Sequence, residues 1–452
     1  MNIIVAGNGK VGVTLARELS EEGHDLTMID LNKELIRSTQ DQFDVMAVEG
    51  NCASMPTLLT AGVENADLLI AATNADEVNL LCCLTAHGLN PRIHTIARVR
   101  NPEYTDQIYT MREQFGLSLT VNPEKQAAEE IRRLMQYPGF LHRETFAKGL
   151  TEIVELRVDK SSKLCGVSLM DIDKIIKCQV LVCTVVRDGK AFVPRGSFVL
   201  KEGDRIFVTA PSKSLTVLLR SLGIINRKAR YVILCGGDRI CRYLAEALQK
   251  EGIRVKIIEK DPQRCRALGE QLEGVEIVCG DCSSKKLLLS EGVSGCDTLV
   301  ALTGIDEMNL VISLYAKSQG VPQIITKLSR GENMEMADDL KLGSVICPRE
   351  LCSNNIVRYV RAMQNQTGAA VSVHGIADGK AEAVEFVVDA NTPNCGRPLK
   401  ELKLKSGILL VSITHGSVTE LPNGNSTFQI GDNVVVVSTG KDVLLQLGDI
   451  FA

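Results

Sequence analysis

Residues 2–30 read NIIVAGNGKVGVTLARELSEEGHDLTMID, and this stretch decides the fold. An apolar β-type run, Ile3-Ile4-Val5-Ala6, passes through Gly7-Asn8-Gly9-Lys10-Val11-Gly12 into an amphipathic helix with Val11, Leu15 and Leu19 on one face. Gly23 is placed to stop that helix as its C′ residue, and Leu26 to Ile29 form a second apolar strand ending in Asp30. Each glycine of the turn has a task. Gly7 permits the sharp strand-to-helix reversal, Gly9 leaves room for a pyrophosphate against the backbone, and Gly12 lets helix and strand pack closely. The helix N-terminus offers free N–H groups and a positive dipole end to phosphate. Asp30 is spaced to accept hydrogen bonds from both hydroxyls of an adenosine ribose. A GxGxxG turn alone is a weak signal; between a strand and a helix, with an acid ending the next strand, it is a specific one.

At 452 residues the chain is too long for one core, and two to four domains are expected. It is 45% hydrophobic and 23% charged, as globular proteins are, and its net charge of -4 makes no electrostatic case for binding nucleic acid or an anionic membrane surface. It begins directly in a strand, and no apolar run approaches the ~20 residues of a bilayer span, which predicts a cytoplasmic location. Fifteen cysteines lie scattered, many in apolar segments, and only six histidines accompany them. They read as buried, reduced thiols rather than as metal ligands or disulfides, with Cys279 and Cys282 flanking a turn.

Beyond Asp30 the pattern predicts a helix over 32–40, a strand over 44–48, a turn at Gly50-Asn51-Cys52, and a further helix reaching about Gly62. A buried parallel strand, Ala66 to Ala72, then ends in Thr73-Asn74. A helix over 76–87, a strand near 93–97 ending at Arg98 and a short strand over 117–121 complete the series, which argues for an open parallel sheet.

Residues 231–347 repeat this plan. Tyr231 to Gly236 match the first strand and glycine, Glu259 matches Asp30, Gly280-Asp281-Cys282 matches Gly50-Asn51-Cys52, and Asp297 to Thr303 match Asp67 to Thr73. Asp306-Glu307-Met308-Asn309 matches Asp76-Glu77-Val78-Asn79, and Lys327 falls at the position of Arg98. The segments 150–215 and 381–447 repeat as well, with short apolar strands and turn glycines that indicate a small α+β domain, so the whole chain is an internal duplication. Each half carries a linker helix begun by Pro123 or Pro348 at the favoured first position. The expected organisation is a first Rossmann-like domain at 1–121, a linker at 122–145 and a small domain at 146–220. A second Rossmann-like domain at 229–347, a linker at 348–368 and a small domain at 369–452 follow.

The second glycine loop, Gly236-Gly237-Asp238-Arg239-Ile240-Cys241, places Asp238 where Gly9 stands and Cys241 where Gly12 stands. A carboxylate at the pyrophosphate position should repel a dinucleotide, so this second site, with Glu259, Asp281, Thr303 and Lys327, is expected to bind more weakly or only a nucleoside or monophosphate.

The GNGKVG loop, Asp30, the Gly50-Asn51 turn, Thr73-Asn74 and Arg98, followed by a small domain and the whole repeated, resemble the TrkA family of Trk-type potassium uptake regulatory subunits, which carry two tandem RCK/KTN units. The resemblance covers nearly the whole chain. It implies a non-enzymatic subunit, peripheral at the inner face of the plasma membrane, that binds NAD(H), or ATP or ADP, and regulates a membrane-embedded potassium transporter subunit. It also implies a homo-oligomeric ring built from RCK units, as a dimer or tetramer of chains. By position, Gly7, Asn8, Gly9, Lys10 and Val11 would take the pyrophosphate and Asp30 the ribose. Asn51 and Cys52 would lie by the adenine, with Thr73, Asn74 and Arg98 on the remaining phosphate or nicotinamide side. The competing reading is an NAD-dependent oxidoreductase with a small C-terminal domain. It needs an acid/base residue facing the nicotinamide, and His87, His94 and His142 read instead as a helix C-terminal residue, a strand-end residue and a linker residue.

Overall fold

The run Asn2–Ala6 is buried from Ile3 onward on both faces, as a central parallel strand must be. In the computed structural model, which describes residues 1–136, 139–160, 162–211, 214–223, 229–364, 370–377, 379–440 and 444–452, it is strand β1 of a six-stranded sheet. The other strands are β2 (Asp25–Asp30), β3 (Met46–Glu49), β4 (Leu68–Ala71), β5 (His94–Arg98) and β6 (Leu119–Val121). Their order is β3-β2-β1-β4-β5-β6, all parallel. The order reverses between β1 and β4, so a crevice opens at the carboxyl ends of these two strands. The small sheet that follows is antiparallel, ordered β10-β9-β11-β8-β7 and built from β7 (His142–Phe146), β8 (Thr151–Arg157), β9 (Leu181–Arg187), β10 (Lys190–Phe192) and β11 (Arg205–Pro211).

The second half repeats both sheets. Strands β12 (Tyr231–Cys235), β13 (Arg254–Glu259), β14 (Glu276–Cys279), β15 (Thr298–Ala301), β16 (Gln323–Lys327) and β17 (Ser344–Ile346) lie parallel in the order β14-β13-β12-β15-β16-β17. Strands β18 (Ala370–Ile376), β19 (Ala381–Val387), β20 (Ile408–His415), β21 (Val418–Glu420) and β22 (Asn433–Ser438) form an antiparallel sheet ordered β18-β19-β22-β20-β21. The fold is thus two tandem Rossmann-like domains, each followed by a small α+β domain.

The chain divides into two compact units: Met1–Glu129 with Cys347–Val360, and Glu130–Ile346 with Arg361–Ala452. Within the first, the helix Pro348–Gln364 contributes Tyr359, whose hydroxyl lies 3.1 Å from His94 Nδ1, and Glu350. Burial, together with the Glu350 and Glu22 charges, pushes the Glu18 carboxyl up to about 7 against the pull of Arg17. A carboxyl raised on folding binds protons more tightly in the native state, so stability falls as pH climbs from about 4.5 to 7. Glu18→Gln is therefore expected to raise stability by up to about 3 kcal/mol at pH 8 and to leave it nearly unchanged at pH 4. Thermal melts at the two pH values check this, and equal shifts at both would refute it.

Within the second unit the two small sheets pack face to face. Phe146, Ile153, Cys183, Val186 and Phe207 share one core with Ile376, Ala383, Val411, Val435 and Val437. The opposite faces cover their own cores around Phe140 and Phe428. One expectation is corrected here. The linker helix runs Pro123–Gln136, and His142, read as a linker residue, opens edge strand β7. Residues 137–138 and the expected boundary at 368–369 lie outside the described residues, apart from the helix reaching Gln364.

Candidate functional site

The crevice in the first unit is built by the loop after β1. Gly7 has φ +102, and a Cβ there would fall 2.8 Å from Thr73 N, so only glycine lets the two loops meet. A Cβ on Gly12 would lie 2.0 Å from Gly7 O, which is the close helix-to-strand packing read from the spacing. Gly9 is different: among the described residues nothing lies within 4 Å of where its Cβ would stand. It is also the N-cap of helix Lys10–Glu21, and among the described residues no side chain caps that helix. The first turn therefore keeps its N–H groups and dipole end free for an anion. Lys10 is exposed beside it, and Val11 is buried beneath.

Two side chains hold the loop. Asn8 is buried and its amide donates to Leu35 O at 2.7 Å and Thr39 Oγ1 at 2.8 Å. Its backbone N–H donates to Asp30 Oδ2 at 2.6 Å, while Asp30 Oδ1 accepts from Asn32 N at 2.9 Å. Each carboxylate oxygen retains a second lone pair, and Asp30 is only half-buried, so the arrangement suits a ribose diol. Asn51 is exposed at its turn and accepts from Ala53 N. Cys52 turns inward: it is buried in the sheet's core with its thiol against Cys82, which leaves only its backbone to line an adenine site.

The far side of the crevice is tied by a residue not singled out from the sequence. Asn79, fully buried, accepts from Thr73 N at 2.8 Å and Thr73 Oγ1 at 2.7 Å, and donates to Arg98 O at 2.8 Å. Arg98 is 8% exposed and donates to Thr73 O at 2.8 Å and Asn74 Oδ1 at 3.2 Å, while its Nε has no hydrogen-bond partner among the described residues. Burial and the nearby Arg100 lower its pKa, yet it stays a cation. The signal was in the repeat: Asn309 makes the same contacts to Thr303 and to Lys327 O.

The second copy keeps the scaffold and caps its own helix. Asp238, the N-cap of helix Arg239–Lys250, accepts from Cys241 N at 2.9 Å, and its other oxygen pairs with Lys327 Nζ. The carboxylate thus occupies both the anchor that an incoming phosphate would take and the cation at the Arg98 position. Ile240 is buried behind the loop. Glu259 is 5% exposed, with Oε2 accepting from Gly237 N at 2.6 Å and Oε1 from Asp261 N at 2.8 Å. Gly236 repeats the left-handed turn at φ +109, and Asp281 accepts from Ser283 N at its own turn. The Asp238 charge, expected to repel a dinucleotide, is neutralised in place by Lys327. As for the candidate acid/base residues, His87 packs its ring against Gly116, His94 meets Tyr359 and Ser118 at 3.1 and 3.2 Å, and His142 pairs with Glu144 at 3.0 Å.

Comparison with known proteins agrees with this architecture. The TrkA-N domain model matches residues 3–123 and 232–348, and the TrkA-C domain model matches 153–223 and 383–451. Over 98% of both chains the protein is 33% identical to the Trk system potassium uptake protein TrkA homolog of Archaeoglobus fulgidus. It is 30% identical to the Trk system potassium uptake protein TrkA of Halomonas elongata, over 98% of this chain and 96% of that one. The crystal structure of the GsuK RCK domain shares the fold at TM-score 0.63 and 16% identity, covering 97% of this chain and 92% of that one, and a GsuK channel bound to NAD does so at 0.62, covering 97% and 77%. The chain belongs to the TrkA family, as two TrkA-N domains alternating with two TrkA-C domains.

Proposed function

We propose that the protein is the cytoplasmic regulatory subunit of a Trk-type potassium uptake transporter and senses NAD(H), or ATP or ADP, through the crevice of its first Rossmann-like domain. The observation that carries this is the contrast between the uncapped helix N-terminus at Gly9 and the self-capped one at Asp238. The polar groups fit a dinucleotide: N–H donors over open space at Gly9, an accepting half-buried carboxylate at Asp30 and a buried arginine Nε donor at Arg98. When bound, the nucleotide supplies a pyrophosphate for those donors and a ribose diol for Asp30. Its effect on the transporter is a matter of differential affinity for two conformations of the assembled ring. Relatives carry potassium uptake names, and among the described residues no helix is long and apolar enough to cross a membrane, so the pore belongs to a partner in this reading.

Asp30→Ala is expected to weaken NADH binding about 10- to 100-fold, the loss of charge-assisted hydrogen bonds to the ribose. Glu259→Ala should change binding little, because that carboxylate is buried and belongs to the loop whose phosphate anchor Asp238 already fills. Isothermal titration of both variants against the parent decides the matter. Unchanged affinity in Asp30→Ala, or an equal loss in Glu259→Ala, would relocate the site. Sustained turnover of NADH with a carbonyl substrate would favour the oxidoreductase reading instead.

A further inference from the structure

Ten of the fifteen cysteines are buried and Cys279 alone is exposed. Three pairs of thiols are neighbours among the described residues. Cys52 with Cys82 and Cys235 with Cys282 are sealed within the two sheet cores. The third, Cys265 with Cys279, lies at the surface. Its geometry is set by three elements. Cys279 ends β14 and is the register partner of Glu259 at the end of β13. Cys265 sits in the first turns of helix Pro262–Gln271, half-buried, with its Sγ 3.2 Å from the carbonyl oxygen of Glu259. The same carbonyl accepts from the N–H of Gly280 at 2.8 Å, so the Cys265 sulfur lies beside the chain at Cys279.

We propose that Cys265 and Cys279 are a peroxide-responsive dithiol that closes to a disulfide across the mouth of the second Rossmann-like domain. The first repeat cannot do this, because Ile36 and Glu49 stand at the two positions. Cys282 follows Cys279 at the spacing of a CxxC motif, but it is buried and its Sγ turns to Ile258 O at 3.2 Å, away from solvent. Burial and the neighbouring thiol push Cys265 up to about 11, which leaves the exposed Cys279 as the attacking group and Cys265 as the resolving one. The Cys279 thiolate attacks one oxygen of hydrogen peroxide; an S–O bond forms, the O–O bond breaks, and the departing hydroxide takes up a proton as water. Cys265 then gives up its proton and attacks the Cys279 sulfur; an S–S bond forms, the S–O bond breaks, and a second water leaves. Two thiols and one peroxide become one disulfide and two waters, and an external dithiol reverses the change by exchange.

The full-length chain, reduced and then exposed to hydrogen peroxide, is mapped by non-reducing peptide mass spectrometry. A Cys265–Cys279 linkage that disappears on adding dithiothreitol is the expected result. In Cys265→Ser, Cys279 should instead accumulate as a sulfenic acid trapped by dimedone, and in Cys279→Ser neither product should form. A Cys279–Cys282 linkage, a Cys279 disulfide between two chains, or no disulfide while Cys279 is oxidised further would each overturn the proposal. The mapping on the unaltered chain does not depend on how the variants fold.

Discussion

Gly9→Asp is expected to lower NADH affinity more than about 100-fold while raising the melting temperature. Both effects follow from the second repeat, which has already made the change. A Cβ at Gly9 meets nothing within 4 Å among the described residues, so the fold has no steric reason to resist. An aspartate there is placed as Asp238 is, to accept from the backbone N–H at position 12 and to face the Arg98 cation as Asp238 faces Lys327. The side chain would fill the phosphate anchor and take up the cation that a bound pyrophosphate would otherwise meet. Supplying the missing N-cap should add about 0.5–2 kcal/mol. Calorimetric titration with NADH and a thermal melt of the apo-protein check the two halves of the prediction. Retained binding would show that the dinucleotide does not use this helix terminus, and a lower melting temperature would show that the carboxylate cannot reach its cap.

The second large effect concerns the small sheets. His142 lies 3.0 Å from Glu144, whose other oxygen pairs with His374 Nδ1, and Phe146 and His374 meet in a T-shaped pair with ring centroids 4.8 Å apart. Glu155 is the ladder partner of His142 and is itself held by Arg205, and the buried Glu130 adds further negative charge. Burial pulls the His142 pKa down, but the Glu144 hydrogen bond and the surrounding carboxylates outweigh it and lift the value to about 9. Burial likewise opposes the Glu144 charge, yet the two histidines hold its carboxyl well below the usual range. Removing the shared anion with Glu144→Gln should cost about 1.5–3 kcal/mol, as losing hydrogen bonds to a charged group does. The pH dependence has a definite sign. The stability owed to His142 is complete below about 6.5 and is lost as pH rises to about 9, whereas that owed to Glu144 is present above about 4.5 and lost on acidification. Urea unfolding of the parent should therefore be hardest between about pH 4.5 and 6.5, and Glu144→Gln should flatten that maximum. A variant with the parent's pH profile would show that the cluster is not coupled to folding.

Much of this was legible in the sequence because it is local or repeated. The β1 turn and helix follow from glycine spacing and apolar periodicity, and Gly23 does stop its helix, with φ +78. The duplication exposed the second fold without any homologue. What escaped was long-range polar chemistry. Asp238 could be read as a charge in the wrong place, but not as one neutralised by Lys327, 89 residues away. Asn79 was visible only as a repeated letter, since its partners Thr73 and Arg98 lie on two different loops. Strand β7, His-Arg-Glu-Thr-Phe, has no apolar alternation because it pairs through charge with acids on β8, and so it read as linker. Cys52 was placed by its turn, while its side chain followed the core.

The core shared by the two small sheets sets the order in which this chain can become itself. Phe146 and Phe207 leave the ribosome long before Val411 and Val435, and Phe146 precedes its neighbour Ile376 by roughly 230 residues. At about 5–20 residues per second of synthesis, that is tens of seconds in which one apolar sheet face waits for its cover. Contacts so distant in sequence carry the largest loop-closure penalty and form last. A nascent chain that stalls before residue 376 therefore presents a sticky, sheet-flat surface, and the nearest complementary surface is the same face on a neighbouring stalled chain.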